Sequence, residues 1–251
     1  MKLQQLLQRR FGAKLQTKGF LAHGLALAGL AMFSTSADAA SLVIDDFTQV
    51  EVGGFQSVTT TGTGTFAIDD DTGLNSANTI GGQRQVFVEA VSGSGAPNTP
   101  ATTVTASTGT FSVSNADGNT GIGGVRYLGL TGTSLLLGGN EYFNASIASA
   151  DLGVTMTINI TDQLSNIATW TSETLNAGND VYQLLTSFTN AGAVNFGDVK
   201  DIEVILSGVA AFDASSTTFE ITDSPNFVPE PSSTALLGLG GLALVLRRKR
   251  S

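Results

Sequence analysis

Residues 153–161 alternate strictly, with Val154, Met156, Ile158 and Ile160 on one side of an extended chain and Thr155, Thr157, Asn159 and Thr161 on the other. A period of two buries one face of a β-strand, whereas a helix would scatter the same residues around its circumference. Comparable stretches occur at residues 42–47, 85–91, 110–114, 125–130, 167–172, 181–188, 202–206 and 217–222. Turn-forming clusters separate them, among them Asp117-Gly118-Asn119, Gly138-Gly139-Asn140 and the segment 176–180. The pattern predicts an all-β fold, a two-sheet antiparallel β-sandwich of jelly-roll type, with no long helix outside the two ends of the chain. Cysteine is absent, so a hydrophobic core and not disulfides must hold the domain together. A body of about 188 residues is long enough for one such core.

The ends are built differently. The first 18 residues carry five cations (Lys2, Arg9, Arg10, Lys14, Lys18) and no acid, an apolar run follows at residues 20–33, and Ala37-Asp38-Ala39 supplies a small-x-small site. These three parts in order predict an N-terminal signal helix cleaved after Ala39, with Ala37 and Ala39 in the pockets of signal peptidase. The residues around Arg9-Arg10 fit a twin-arginine signal poorly, which favours general secretion. At the other end stand Pro229-Glu230-Pro231, an uncharged run at residues 232–246, and Arg247-Arg248-Lys249-Arg250. The prolines keep their segment extended and accessible. As a helix the apolar run would span roughly 22 Å, a short transmembrane helix against a hydrocarbon core of about 30 Å. Local thinning and the stems of Arg247 and Arg248 close that gap. The four cations fix the tail's end in the cytoplasm and put the preceding chain outside the inner membrane. The organisation expected is a secretory signal peptide at residues 1–39, a β-sandwich passenger at 40–227 and a sorting and anchor region at 228–251.

The Pro-Glu-Pro motif, brief apolar helix and terminal basic cluster, behind a secretory signal, resemble the PEP-CTERM sorting region of Gram-negative bacteria. The resemblance implies recognition by an exosortase, a membrane-embedded transpeptidase resembling a cysteine protease. It implies further that a precursor anchored in the inner membrane and facing the periplasm passes to the cell surface or the extracellular polysaccharide matrix. Pro229, Glu230 and Pro231 would be the recognition residues, and Arg247, Arg248, Lys249 and Arg250 the retention signal. An ordinary anchor without processing is the alternative. The passenger also resembles a jelly-roll domain of such exported proteins in Val43-Ile44-Asp45-Asp46-Phe47, Ile80-Gly81-Gly82-Gln83-Arg84 and Ala150-Asp151-Leu152-Gly153, departing from it at Gln83, where an acid is expected.

Charge narrows the function. Between Ser41 and Val228 three cations (Arg84, Arg126, Lys200) face 19 acids, a formal charge of −16, which repels nucleic acid and anionic lipid. The single histidine, His23, belongs to the predicted signal. The mature chain then has neither His nor Cys for nucleophilic catalysis or histidine-ligated zinc, which speaks against an enzyme and leaves a two-carboxylate glycosidase as the surviving chemistry. The expectation is a non-enzymatic surface or matrix protein without a cofactor, the alternatives being a carbohydrate-binding jelly-roll module and, behind it, an extracellular glycosidase.

Four groups are candidate sites. Asp69, Asp70 and Asp71, with Thr72, Gly73 and Asn75, read as an oxygen-rich turn that either binds calcium or is a solvated acidic connection. Asp45 and Asp46 on the first strand either meet Asp223 at a cation or hydrogen-bond to Arg84. Trp170, Tyr142 and Tyr182, together with Tyr127, offer ring faces to sugars or pack inside. The glycines of 62–64 and 121–124 open no helix after a buried strand and are turn or strand glycines, not phosphate loops.

Overall fold

The computed structural model describes residues 40–49, 56–60, 64–92, 102–107 and 109–224. The expected signal with Ala37 and Ala39, and the tail with Pro229, Glu230, Pro231 and the basic residues 247–250, lie outside the described residues. Among these, 13 strands form: β1 (Ser41–Asp45), β2 (Gln56–Thr60), β3 (Phe66–Thr72), β4 (Gln83–Ser92), β5 (Thr102–Ser107), β6 (Thr110–Asn115), β7 (Thr120–Tyr127), β8 (Tyr142–Ala150), β9 (Val154–Asp162), β10 (Ile167–Thr171), β11 (Asp180–Leu184), β12 (Val199–Gly208) and β13 (Asp213–Thr222). The described helical segments are three single 3₁₀ turns, none long or apolar enough to cross a membrane.

The strands make two antiparallel sheets. One runs β11-β8-β13-β6-β5-β2, with β1 on the same edge of β13 as β6, and the other runs β10-β9-β12-β7-β4-β3. The chain passes repeatedly from one sheet to the other, so the sandwich closes only when distant strands meet. Alternation decides which side faces in. On β9 the four apolar residues are at most 1% exposed while the threonines and Asn159 between them are half-buried. Phe47, Phe111, Phe143 and Phe219 fill the space behind the first sheet, with Phe47 edge-on to Phe219 at 5.2 Å and stacked on Phe111 at 5.6 Å. Fully burying such a ring contributes about 1.5–3 kcal/mol.

Three sequence expectations need correction. Residues 69–71 form no turn: they continue β3, paired with β4 so that Asp71 lies opposite Arg84. An inward aspartate is tolerable there because its cross-strand neighbour is a cation. The glycines of 121–124 are strand residues of β7, which starts at Thr120 and not at Val125. Residues 181–188 divide into β11 and a 3₁₀ turn, Leu185–Ser187. The periodicity did not announce β2, β5 or β8, whose Thr, Ser, Asn and Ala residues blur the contrast between faces.

Candidate functional site

The charged residues nearest the centre form a buried node around Arg84. Its Nη1 lies 3.0 Å from Asp45 Oδ2 and its Nη2 3.2 Å from Asp71 Oδ2, with all three side chains fully buried. Nε donates to Gln56 Oε1 at 3.0 Å and Nη2 to the Gln49 carbonyl at 2.9 Å. Asp45 also accepts from Tyr127 Oη at 3.0 Å and from the Phe47 N–H at 2.8 Å. Burial pushes the Asp45 carboxyl above its ordinary value of 3.8 although the Arg84 charge and these donors oppose it. Burial, reinforced by Asp45, also holds the Tyr127 phenol well above its usual range. The Asp45–Arg84 contact expected from sequence is therefore present. Asp223 takes no part in it: Asp45 lies opposite Phe219 in the register, and the Asp223 N–H bonds instead to the Ala40 carbonyl at 3.1 Å. No substrate reaches groups so enclosed, so this node holds β1, β3 and β4 together and is not a site of chemistry.

Tyr142 and Tyr182 do come together, on the outer face of the first sheet. Phe143 is buried at the core, so its neighbours Tyr142 and Asn144 point outward, and the register sets Tyr182 opposite Asn144 and Asn144 opposite Glu220. The two rings are thus diagonal neighbours across β8 and β11, each half-buried. Between and beside them the Asn144 amide donates to Glu220 Oε1, Ser41 Oγ donates to Glu220 Oε2 at 2.7 Å, and Ser146 Oγ donates to Asp180 Oδ1 at 2.7 Å. Partial burial, then the Asp180 and Glu220 carboxylates, raise the Tyr182 phenol above its ordinary value, so it stays a neutral hydrogen-bonding ring. Two ring faces with amide and carboxylate groups between them suit a polyhydroxylated ligand.

The loop before Tyr142 is fixed by one carboxylate. Glu141 Oε1 accepts from the N–H groups of Leu137, Gly138 and Gly139 at 3.0–3.1 Å. Gly138 has φ of +97°, a backbone geometry that side chains disfavour. Partial burial raises the Glu141 carboxyl, but the three donors outweigh it and leave the group below its ordinary 4.5. A lowered folded value means that this stabilisation is present above about pH 4.5 and is lost as pH falls through the folded value. In urea unfolding below that pH, the native protein's midpoint should fall more steeply than that of Glu141→Gln, which lacks the titrating group.

Trp170 does not join the tyrosines. It lies on β10 of the other sheet on the same side as the fully buried Ala168, packs against the core and stacks on Phe188 at 6.3 Å. Of the two alternatives the sequence left for Trp170, the structure takes packing inside, which leaves Tyr142 and Tyr182 as the outward ring pair. Asp69, Asp70 and Asp71 do not converge on a cation site either, since strand alternation points them to opposite faces: Asp71 pairs with Arg84 and Asp70 accepts from Gln85 Nε2 at 2.7 Å. Among the described residues no group of three or more carboxylates or histidines is placed to hold a metal ion.

The outer face of the second sheet brings together residues that the sequence did not group. One row of side chains, each from a different strand, is hydrogen-bonded from edge to edge. Gln85 donates to Asp70 at 2.7 Å, Arg126 Nε to Glu203 at 2.6 Å, Asn159 Nδ2 to Glu203 at 2.8 Å and Thr169 Oγ1 to Asn159 at 2.9 Å. Arg126 also donates to Gln85 Oε1 at 3.5 Å, and its Cζ sits over the Phe87 ring, 4.1 Å from the centroid. Phe66, half exposed, stacks on the other part of Phe87 at 5.9 Å. A groove of about 210 Å³ runs beside Arg126, lined by Asp70, Asp71, Thr72, Gln83, Arg84, Gln85, Arg126 and Leu128.

Comparison with known proteins identifies the tail: the PEP-CTERM protein-sorting motif matches residues 227–250. No curated protein matches the chain by sequence. Among solved structures, the family 11 carbohydrate-binding module of a cellulosomal cellulase from Clostridium thermocellum is 11% identical, with 72% of this chain and 94% of that one covered and a TM-score of 0.36. An agarase is 14% identical over 74% of this chain and 26% of its own, with a TM-score of 0.41. An exo-β-agarase is 8% identical over 73% and 25%, with a TM-score of 0.38. The chain thus matches about a quarter of the length of each agarase, and at these values the likenesses assign it no ligand or activity.

Proposed function

We propose that this is an exported, non-catalytic surface protein that an exosortase sorts through its C-terminal tail. In this reading the sandwich holds it to extracellular polysaccharide through the tyrosine face of β8 and β11. The sorting motif supports export and exosortase processing, with Pro229, Glu230 and Pro231 as the recognised segment. The polysaccharide contact rests on one observation, the pairing of Tyr142 and Tyr182 on one outer face with Asn144 and Glu220 in the same rows. Three features favour binding over catalysis. The sole histidine lies in the predicted signal, cysteine is absent, and Asp45 and Asp71, the carboxylates brought together in the interior, are sealed around Arg84. A glycosidase needs its carboxylate pair beside the scissile bond.

The test is cell fractionation with mass measurement. Wild-type protein should be recovered processed in the polysaccharide matrix, and Pro229→Ala/Pro231→Ala should remain in the inner membrane at unprocessed mass. Tyr142→Ala/Tyr182→Ala should be processed normally yet be depleted from the matrix roughly thirtyfold, the scale of two aromatic contacts of about 1 kcal/mol each. Undiminished matrix recovery of the tyrosine variant would refute the polysaccharide contact, and normal processing of the proline variant would refute the sorting route.

A further inference from the structure

We infer that the second sheet carries a second polysaccharide site, at Phe66, Arg126 and the groove beside them, so that one sandwich bridges two neutral glycan chains. The inference rests on the reading of the tyrosine face given above. Outward side chains of two packed sheets point away from each other. A polymer lying on the tyrosine face therefore does not reach the groove on the opposite face, so a polymer in the groove is a second chain.

The second face is built to keep a flat, fixed surface. Gly124 leaves room for Phe87: a Cβ at that position would stand 2.3 Å from Phe87 Cζ. Phe87, 2% exposed, in turn supports the Arg126 guanidinium and the exposed Phe66 ring. Glu203 and Gln85 hold Arg126 from either side along the hydrogen-bonded row. The groove thus sets the Arg126 guanidinium beside the amide of Gln85 and the carboxylate of Asp70, and the exposed Phe66 ring lies next to that guanidinium, 5.8 Å from it. These groups meet a sugar's apolar face and hydroxyls with little loss of side-chain freedom.

Charge selects the ligand class. Among the described residues each cation already has a carboxylate: Arg84 with Asp45 and Asp71, Arg126 with Glu203, and Lys200 with Asp201 at 3.7 Å. Neither face has a cation left to neutralise a uronate or sulfate, and the acids between Ser41 and Val228 outnumber the cations 19 to 3. Anionic polymers would meet uncompensated repulsion, so the occupant is a neutral polysaccharide.

The experiment mixes full-length protein with dextran, mixed-linkage β-glucan or neutral galactan, and with alginate as the anionic comparison, and follows light scattering alongside calorimetric stoichiometry. At least one neutral polymer should be bound at two sites per protein and be cross-linked, and alginate should not be bound. Phe66→Ala, at an exposed edge position, should halve the stoichiometry and cut the scattering at least fivefold, and Ile68→Thr should do so where Phe66→Ala perturbs β3, because Ile68 is half exposed on the same outer face of β3 and lies opposite Phe87 in the register. Tyr142→Ala/Tyr182→Ala should also halve the stoichiometry, leaving the second face occupied. If both edge variants cross-link like wild type, or if the tyrosine variant loses all binding, the second site is overturned while the tyrosine reading stands. If no neutral polymer binds, or the tyrosine variant binds like wild type, the underlying reading falls as well. Alginate binding as tight as that of the neutral polymers overturns the ligand class.

Discussion

Arg84→Met is expected to lower the unfolding free energy at neutral pH by about 3–5 kcal/mol, the cost of removing one partner from a buried ion pair. The guanidinium faces Asp45 and Asp71, and none of the three side chains touches solvent. Without it two carboxylates remain in the interior with no cation to offset their desolvation. Asp45 would keep only the Phe47 N–H, Thr79 and Tyr127 as donors.

The loss should depend on pH, and its sign follows from linkage. In the native protein the Asp45 carboxyl already titrates above its ordinary value, so its contribution is fully present below 3.8 and declines as pH rises through the folded value. Arg84 is the strongest of the influences holding that value down, so its removal raises the carboxyl further. The gap between Arg84→Met and wild type should accordingly be widest near neutrality and narrow towards pH 4. Urea unfolding at a series of pH values measures this, and a gap that is small or independent of pH would mean that the three groups are not coupled as the geometry shows. Replacing all three together, Arg84→Met with Asp45→Leu and Asp71→Leu, should cost less than Arg84→Met alone. Apolar substitutes for a whole buried charge cluster are often neutral or stabilising.

Much of the architecture could be read before any coordinates, because a half-buried strand shows itself by alternation. The residues of β9 are the clearest case, and β1, β4, β6, β10, β12 and β13 follow at or near the expected places. β8 escaped because Asn144, Ala145 and Ser146 carry too little contrast in polarity, although Ala145 is buried and Ser146 is not. β3 is hidden for the opposite reason. Three consecutive aspartates outweigh every local strand signal, and only Arg84, opposite Asp71 in the register, makes an inward carboxylate there tolerable.

The candidate site was legible only in its ingredients. Tyr142 and Tyr182 stand out as ring residues, but their juxtaposition comes from the pairing of β8 with β11 across some 40 residues, which periodicity does not encode. Trp170 shares a side with Ala168 by alternation, yet which side faces inward was decided by the pairing of β10 with β9, where Trp170 lies opposite the buried Ile158. The polar row from Asp70 to Thr169 draws one residue from each of six strands, so no stretch of sequence contains two of its members close enough to suggest it.

That row and the rings beside it depend on one missing methyl group, which makes Gly124→Ala the second substitution with a large expected effect. Gly124 lies between Phe87 on β4 and Ile205 on β12 in the register. A Cβ there would stand 2.3 Å from Phe87 Cζ and 2.6 Å from the Val204 carbonyl oxygen. The ring can swing aside, whereas the carbonyl belongs to the β7–β12 ladder and cannot move without disturbing it. Overpacking of this kind costs about 1–3 kcal/mol. Displacing Phe87 would also take away the surface on which Arg126 and Phe66 rest, so Gly124→Ala should lose polymer cross-linking while keeping the tyrosine-face interaction. Combining it with Phe87→Ala separates the two contacts. If the ring is the main obstacle, the double variant should be more stable than the sum of the single changes by about 0.5–3 kcal/mol, the usual coupling of residues in contact. Strict additivity in urea unfolding would instead place the whole cost on the Val204 carbonyl and leave Phe87 without a role in excluding a side chain from position 124.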